Sequence, residues 1–129
     1  MINQITLIGR VVDKPTLYKY EDGFCATTLR LAVTRPFKNM EGNYDCDFIR
    51  VSLWNGVAQS ASEYCDKGDI VGVKGRIVNK ESEYTFEIEG REFVRKLSYL
   101  EIIGERVVFI ASANRKTDEI KVSTSDTEF

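Results

Sequence analysis

The chain has 129 residues, 43% of them hydrophobic and 29% charged, which fits one globular domain with a real core and a short tail. Its 18 basic and 20 acidic residues give a net charge of −2. That excludes a uniformly basic coat for duplex nucleic acid and confines any polyanion site to a local patch. Histidine is absent, so a Ser/His/Asp triad, a Cys/His pair, an HExxH zinc site and an imidazole general base are all excluded.

In chain order the pattern is β almost throughout. Ile2–Val12 reads as a first strand rich in β-branched residues, with Gly9 marking a bulge or a close backbone approach. Glu21-Asp22-Gly23 is a turn signal before a second strand, Phe24–Thr34, whose odd positions Leu29, Leu31 and Val33 are apolar. Arg35–Asn43 reads as a loop. Asp45–Trp54 is a third strand, with Ile49, Val51 and Leu53 on one face and Phe48, Arg50, Ser52 and Trp54 on the other. Val57–Cys65 has helical spacing, with Asn55 as its N-cap and Gly68 in the C-cap region. Ile70–Lys80 is a fourth strand carrying Gly72 and Gly75, which suit barrel bends. Glu81–Lys96 reads as a charged hairpin arm turning at Glu89-Gly90, and Tyr99–Ile103 with Val107–Ala111 finishes the β core.

This element order predicts an all-β fold: a five-stranded OB-type barrel with one short helix after strand 3 and an extended arm between strands 4 and 5. Residues 1–112 form the domain and 113–129 a short polar, acidic tail. Removing that tail leaves 15 basic against 16 acidic residues, so it hides no strongly basic body. No apolar stretch reaches the length of a membrane span, and Met1–Ile5 lacks the basic head and apolar run of a signal peptide. The expected location is therefore the cytoplasm. Cys25, Cys46 and Cys65 show no CxxC spacing and read as reduced thiols.

Phe48, Arg50 and Trp54 share one strand face. Two aromatics and a guanidinium on a solvated face suit unstacked bases and phosphates. The same pattern also fits a strand covered on both faces, with the two rings in the core. Arg30, Lys74, Arg76 and Lys80 add cations at even strand positions, where scattered solvated charge is the plainer reading. Phe37, between Arg35 and Lys38 in a loop, has no evident core role and points to binding. Tyr84 and Phe86 suit either base stacking or packing against a second subunit. The glutamates at 81, 83, 87, 89 and 92 are interleaved with Lys80, Arg91 and Arg95, a solvated hairpin rather than a metal site. No cofactor and no catalytic residue is expected. Cys65 has no base to activate it.

These residues resemble a known family, the bacterial and phage single-stranded DNA-binding proteins. Asn3–Val11, Leu29–Val33 and Asp47–Trp54 look like its first three strands. Ala58 with Ser62-Glu63-Tyr64 and Lys67-Gly68-Asp69 resembles its helix and following turn. Val73–Ile77 resembles its fourth strand, and Glu101–Ile103 with Val107 and Phe109 its last. The resemblance runs in order over residues 2–110. It implies an OB fold, single-stranded DNA held by a homotetramer (a dimer being the alternative), no catalysis and no cofactor. It also implies base stacking at Phe37, Phe48 and Trp54 and cations at Arg50 and Lys67. The family's arm aromatic falls near Ser82, so Tyr84 stands in for it, and Gly56 replaces a basic residue often found after the third strand.

The expected function is therefore sequence-tolerant binding and protection of single-stranded DNA in replication, recombination or repair. The binding set is Phe37, Phe48, Arg50, Trp54, Arg30, Lys38, Lys67, Arg76, Lys80 and Tyr84. The alternative is an OB module for replication-complex assembly, which the near-neutral charge suits. The ending Asp126-Thr127-Glu128-Phe129 resembles a partner-docking tail without its usual Pro, and Asp126, Glu128 and Phe129 are the candidate contacts with replication or repair proteins. Ile120 and Val122 would instead allow an added strand.

Overall fold

The structure is a computed structural model that describes residues 1–113. Its elements are β1 (Ile5–Val11), β2 (Tyr18–Lys19), β3 (Cys25–Lys38), β4 (Tyr44–Trp54), α1 (Asn55–Tyr64), β5 (Ile70–Ile88) and β6 (Arg91–Ala111). Five of these strands close in the order β1-β5-β6-β4-β3, and β3 returns to β1 through Arg10↔Ala32 and Val11↔Leu31. Only β4 and β6 run parallel, through Val51↔Ile102 and Ser52↔Ile103. Closure removes the sheet edges that an open five-strand sheet would expose.

The alternating residues explain where the core sits. Val11, Leu29, Leu31, Val51, Leu53, Val71 and Val73 point inward and are fully buried, and Ala58 and Ala61 of α1 close one end of the barrel. Burying each Leu or Val contributes roughly 1.5–3 kcal/mol. Gly75 lies where β5 and β6 slip register, and a Cβ there would run into the Ile103 carbonyl. The bend read from the sequence is thus a close approach that only glycine permits. The Glu89-Gly90 turn also forms as expected, with φ of 52° and 77°, the left-handed pair of a two-residue hairpin.

Several sequence expectations need correction. Arg35–Lys38 is strand rather than loop, and only Asn39–Asn43 turns, closed by the Asn39 N–H donating to the Asn43 carbonyl at 2.7 Å. Pro36 falls where the ladder lapses between Thr34 and Lys38, so its missing N–H costs no pairing. Asn55 is not a side-chain cap. It adopts φ 54°, and its Oδ1 accepts from the Cys25 N–H at 3.4 Å, leaving Trp54 at the N-cap position. Tyr64, the last residue of α1, is exposed, while Ala58 and Ala61 carry the helix's buried face. The arm forms as the expected hairpin, and β5 and β6 each run unbroken from barrel to tip.

Behind α1, Asp69 is buried and satisfied. Its carboxylate accepts from the Asp66 N–H at 2.8 Å and the Ala113 N–H at 3.1 Å, tying the post-helix turn to the end of β6. Burial, then the neighbouring Asp69 charge, pushes the Cys65 thiol up, away from a reactive thiolate.

Candidate functional site

The β3–β4 ladder decides how the two aromatics of β4 are used. Partners directly opposite share a face, and the pairs Ala26↔Trp54, Thr28↔Ser52, Arg30↔Arg50 and Ala32↔Phe48 all lie outside the barrel. Phe48 is 69% exposed and Trp54 45% exposed, so the reading that buries them is wrong. The inward positions are already filled by Leu29, Leu31, Val51 and Leu53.

The row continues across the sheet. Ser52 pairs with Ile103, and Ile103 with Arg76, so Thr28, Ser52, Ile103 and Arg76 share the outer face. Two adjoining hollows lie along it. One, of about 250 Å³, is lined by Thr28, Arg50, Ser52, Tyr99, Leu100 and Glu101. The other, of about 300 Å³, includes Tyr18, Tyr20 and Trp54. Together they make a shallow groove with rings at both ends and cations beside it.

Tyr20 stacks on Trp54, with ring centroids 6.4 Å apart and planes 24° from parallel, within the range aromatic pairs prefer. Sequence reasoning missed Tyr20, Tyr18 and Tyr99 as site residues. The available signal was Tyr18 and Tyr20 at i and i+2, just before the Glu21-Asp22-Gly23 turn.

The cations divide by pairing. Arg30 Nη1 lies 3.0 Å from Asp13 Oδ2, and Lys80 Nζ 3.7 Å from Glu101 Oε2. Arg50, Arg76 and Lys67 have no ion-pair partner among the described residues. Arg50 therefore stands beside the aromatics with its full charge available. Lys67 is exposed on the turn after α1, where Gly68 is held to the Val11 carbonyl, and no contact joins it to the groove.

At the far end of β3, Phe37 is exposed, and Lys38 Nζ lies 5.8 Å from the Tyr44 ring centroid. Arg35 makes a two-pronged bond with Asp47, the shortest contact being Nη2 to Oδ1 at 2.8 Å. The hydrogen bond from Arg35 holds the Asp47 carboxyl below its ordinary range, and the same bond raises Arg35. This pair braces the hairpin that carries Phe37 and Phe48.

The arm is two-faced. Beyond Gly75 the β5–β6 register has no slip. Lys80↔Tyr99, Ser82↔Leu97, Tyr84↔Arg95 and Phe86↔Phe93 therefore share the outer face of Arg76 and Ser52. The opposite face carries Glu81, Glu83, Glu87 and Glu92, with Lys96 the basic residue among them. Phe86 and Phe93 stack at 5.6 Å. Among the described residues no His, Cys, Asp or Glu group gathers as metal ligands, and no helix is long and apolar enough to cross a membrane. Asp126, Glu128 and Phe129 lie outside the described residues, as do Ile120 and Val122.

The family model described as single-strand binding protein family matches residues 2–110. Single-stranded DNA-binding protein B of Bacillus subtilis is 39% identical over 83 residues, covering 64% of this chain and 74% of that protein. Single-stranded DNA-binding protein 3 of Listeria innocua is 34% identical over 112 residues, covering 87% of this chain and 66% of that protein. The crystal structure of the single-stranded DNA binding protein from Thermus aquaticus superposes with a TM-score of 0.65 at 21% identity. The chain spans about half of it, 52%, while 87% of the chain is covered. That likeness shows the shared barrel fold.

Proposed function

This chain belongs to the single-strand binding protein family, and from that premise we propose that it binds single-stranded DNA on the outer face of β3, β4 and β6. Protection of single strands in replication, recombination or repair is the role this binding serves. The observation that carries the reading is the exposed triplet Phe48, Arg50 and Trp54, extended by Tyr20. Rings on a solvated strand face cost solubility and add nothing to the core, whereas a base stacked on each contributes about 1–3 kcal/mol whatever its identity.

Phosphates follow the flanking cations. Arg50 and Arg76 are free to meet them directly; Arg30 exchanges the exposed Asp13 carboxylate for a phosphate, a small change for a surface pair, and Lys80 meets them from its place beside Glu101. Lys38 and Phe37 extend the path to the β3–β4 hairpin, Tyr84 extends it along the arm, and Lys67 makes an outlying contact. No step in this function needs a catalytic group or a cofactor. Homotetramer assembly (a dimer being the alternative), action in the cytoplasm, and partner docking through Asp126, Glu128 and Phe129 complete the proposal. The exposed apolar residues of the arm support the assembly, and the sequence alone supports the tail's role.

The near-neutral charge and the apolar arm also suit a protein-assembly module. Fluorescence anisotropy of a labelled oligo-dT, against a duplex of equal length, separates the two readings. Tight binding of the single strand with weak binding of the duplex supports the proposal. Failure to bind oligo-dT at low salt overturns it and favours the assembly role.

A further inference from the structure

Building on the single-strand reading, we propose that Glu101 reads base edges, accepting a hydrogen bond from an exocyclic amino group and tilting a sequence-tolerant groove toward cytosine over thymine. Three residues, Thr28, Ser52 and Glu101, line both hollows of the groove. Glu101 is the charged one among them, so its carboxylate sits at the junction between the Arg50 hollow and the Tyr20–Trp54 hollow. Its side chain is 25% exposed, recessed but open to a ligand.

The carboxylate is held in place. Ser52 Oγ donates to Oε1 at 2.6 Å, and Lys80 Nζ lies 3.7 Å from Oε2. The backbone register puts it on the same face as Tyr99 and Ile103. A carboxylate accepts about four hydrogen bonds, so acceptor capacity remains after Ser52 and Lys80 are served.

An anion on the groove floor repels phosphates, which turns the backbone toward Arg50 and Arg76 and the bases inward. A base then meets the carboxylate with its edge. Cytosine presents the N4 amino group, a match for a carboxylate that only accepts. Thymine presents O4 at the same position, acceptor against acceptor, and N3–H as its one donor. Stacking on Trp54 or Tyr99 changes little between two pyrimidines of equal ring size, so the difference falls on Glu101.

The test compares oligo-d(5-methylcytosine) with oligo-dT, which share the C5 methyl and differ at position 4 and in the N3 proton. Both are titrated at neutral pH against the full chain and against Glu101→Gln, whose amide also donates to O4. The affinity ratio of 5-methylcytosine to thymine should move toward thymine by about tenfold in the variant. If both oligonucleotides change by the same factor, Glu101 is a repelling charge alone and the proposal fails. A ratio that moves toward 5-methylcytosine, or no change in either affinity, overturns it as well. The wild-type chain provides a second arm that needs no variant: an oligonucleotide of 2-pyrimidinone, which is cytosine without its amino group. It should bind about tenfold more weakly than oligo-dC, and equal binding overturns the base-reading role. Absence of binding by any of these oligonucleotides would instead sink the single-strand reading itself.

Discussion

The barrel and the arm are made from the same two strands, and burial separates them. In the barrel half of β5, Val71 and Val73 are buried in one cluster with the inward residues of β3 and β4, and Gly75 is buried against the Ile103 backbone of β6. In the arm half, Lys80–Ile88 faces water on both sides, apart from the half-buried Ser82. The hydrogen-bond ladder runs through both halves. An isolated two-stranded ribbon is marginal in water, so the arm depends on its continuity with the barrel, its tight turn and the Phe86–Phe93 stack. Side chains in the barrel hold the molecule together, while those on the arm and on the β3–β4 outer face are available to a ligand.

The sharpest break between the two regions is stability. Leu53→Ala, at a fully buried position, should cost about 2–5 kcal/mol. Phe93→Ala should cost about 0.5–1.5 kcal/mol, the scale of one aromatic pair. Urea unfolding of the two variants checks this, and equal losses would mean that the arm is part of the core.

Binding should show the reverse order. Trp54→Ala should weaken oligo-dT binding by about 1–3 kcal/mol while the fold survives, measured by anisotropy of a labelled strand. Leu53→Ala, wherever it remains folded, should bind nearly as well as the parent chain.

These two predictions rest on features of unequal visibility in the sequence. The period-2 alternation of β4 made its two faces legible, because each inward apolar residue alternates with an outward one. Which face is wet was not legible, since Phe and Trp suit a pleated surface on either side. Tyr20 was hidden because it lies beside a two-residue strand, too short to show any period, and meets Trp54 only through tertiary packing. Glu101 was hidden because an acid within a β strand reads as solvent-facing. The hairpin end at Arg35–Lys38 was misread because Pro36 usually ends a strand, and only the register lapse shows how it is accommodated. The arm's face asymmetry was present in the alternation of Glu with aromatic and basic residues, but it needed the β5–β6 register to become a face.

Salt tests the electrostatic side on a smaller scale. Affinity should fall as salt rises, with a logarithmic slope of about 0.7 per phosphate contact. Arg50→Ala should flatten that slope by roughly one contact. Glu83→Gln, on the acidic face of the arm, should leave it unchanged; an equal effect would deny that the arm has a DNA side.

The smallest effect concerns acid. Because Arg35 lowers Asp47 in the folded chain, the pair's stabilisation is present above the ordinary carboxylate range, near pH 4, and is lost as pH falls through the lowered folded value. Protection of the Asn39–Asn43 hairpin amides against hydrogen exchange, taken relative to their intrinsic rates at each pH, should therefore fall on acidification more in the parent chain than in Asp47→Asn. An identical response in both would remove the brace from the account.

The central claim is that the outer face around Trp54 receives single-stranded DNA, and Trp54 is the one tryptophan in the chain. Its fluorescence during titration with unlabelled oligo-dT tests the claim most directly. Stacking predicts a strong, saturable quench whose midpoint matches the affinity measured by anisotropy. Saturated binding with the tryptophan emission unchanged would contradict it.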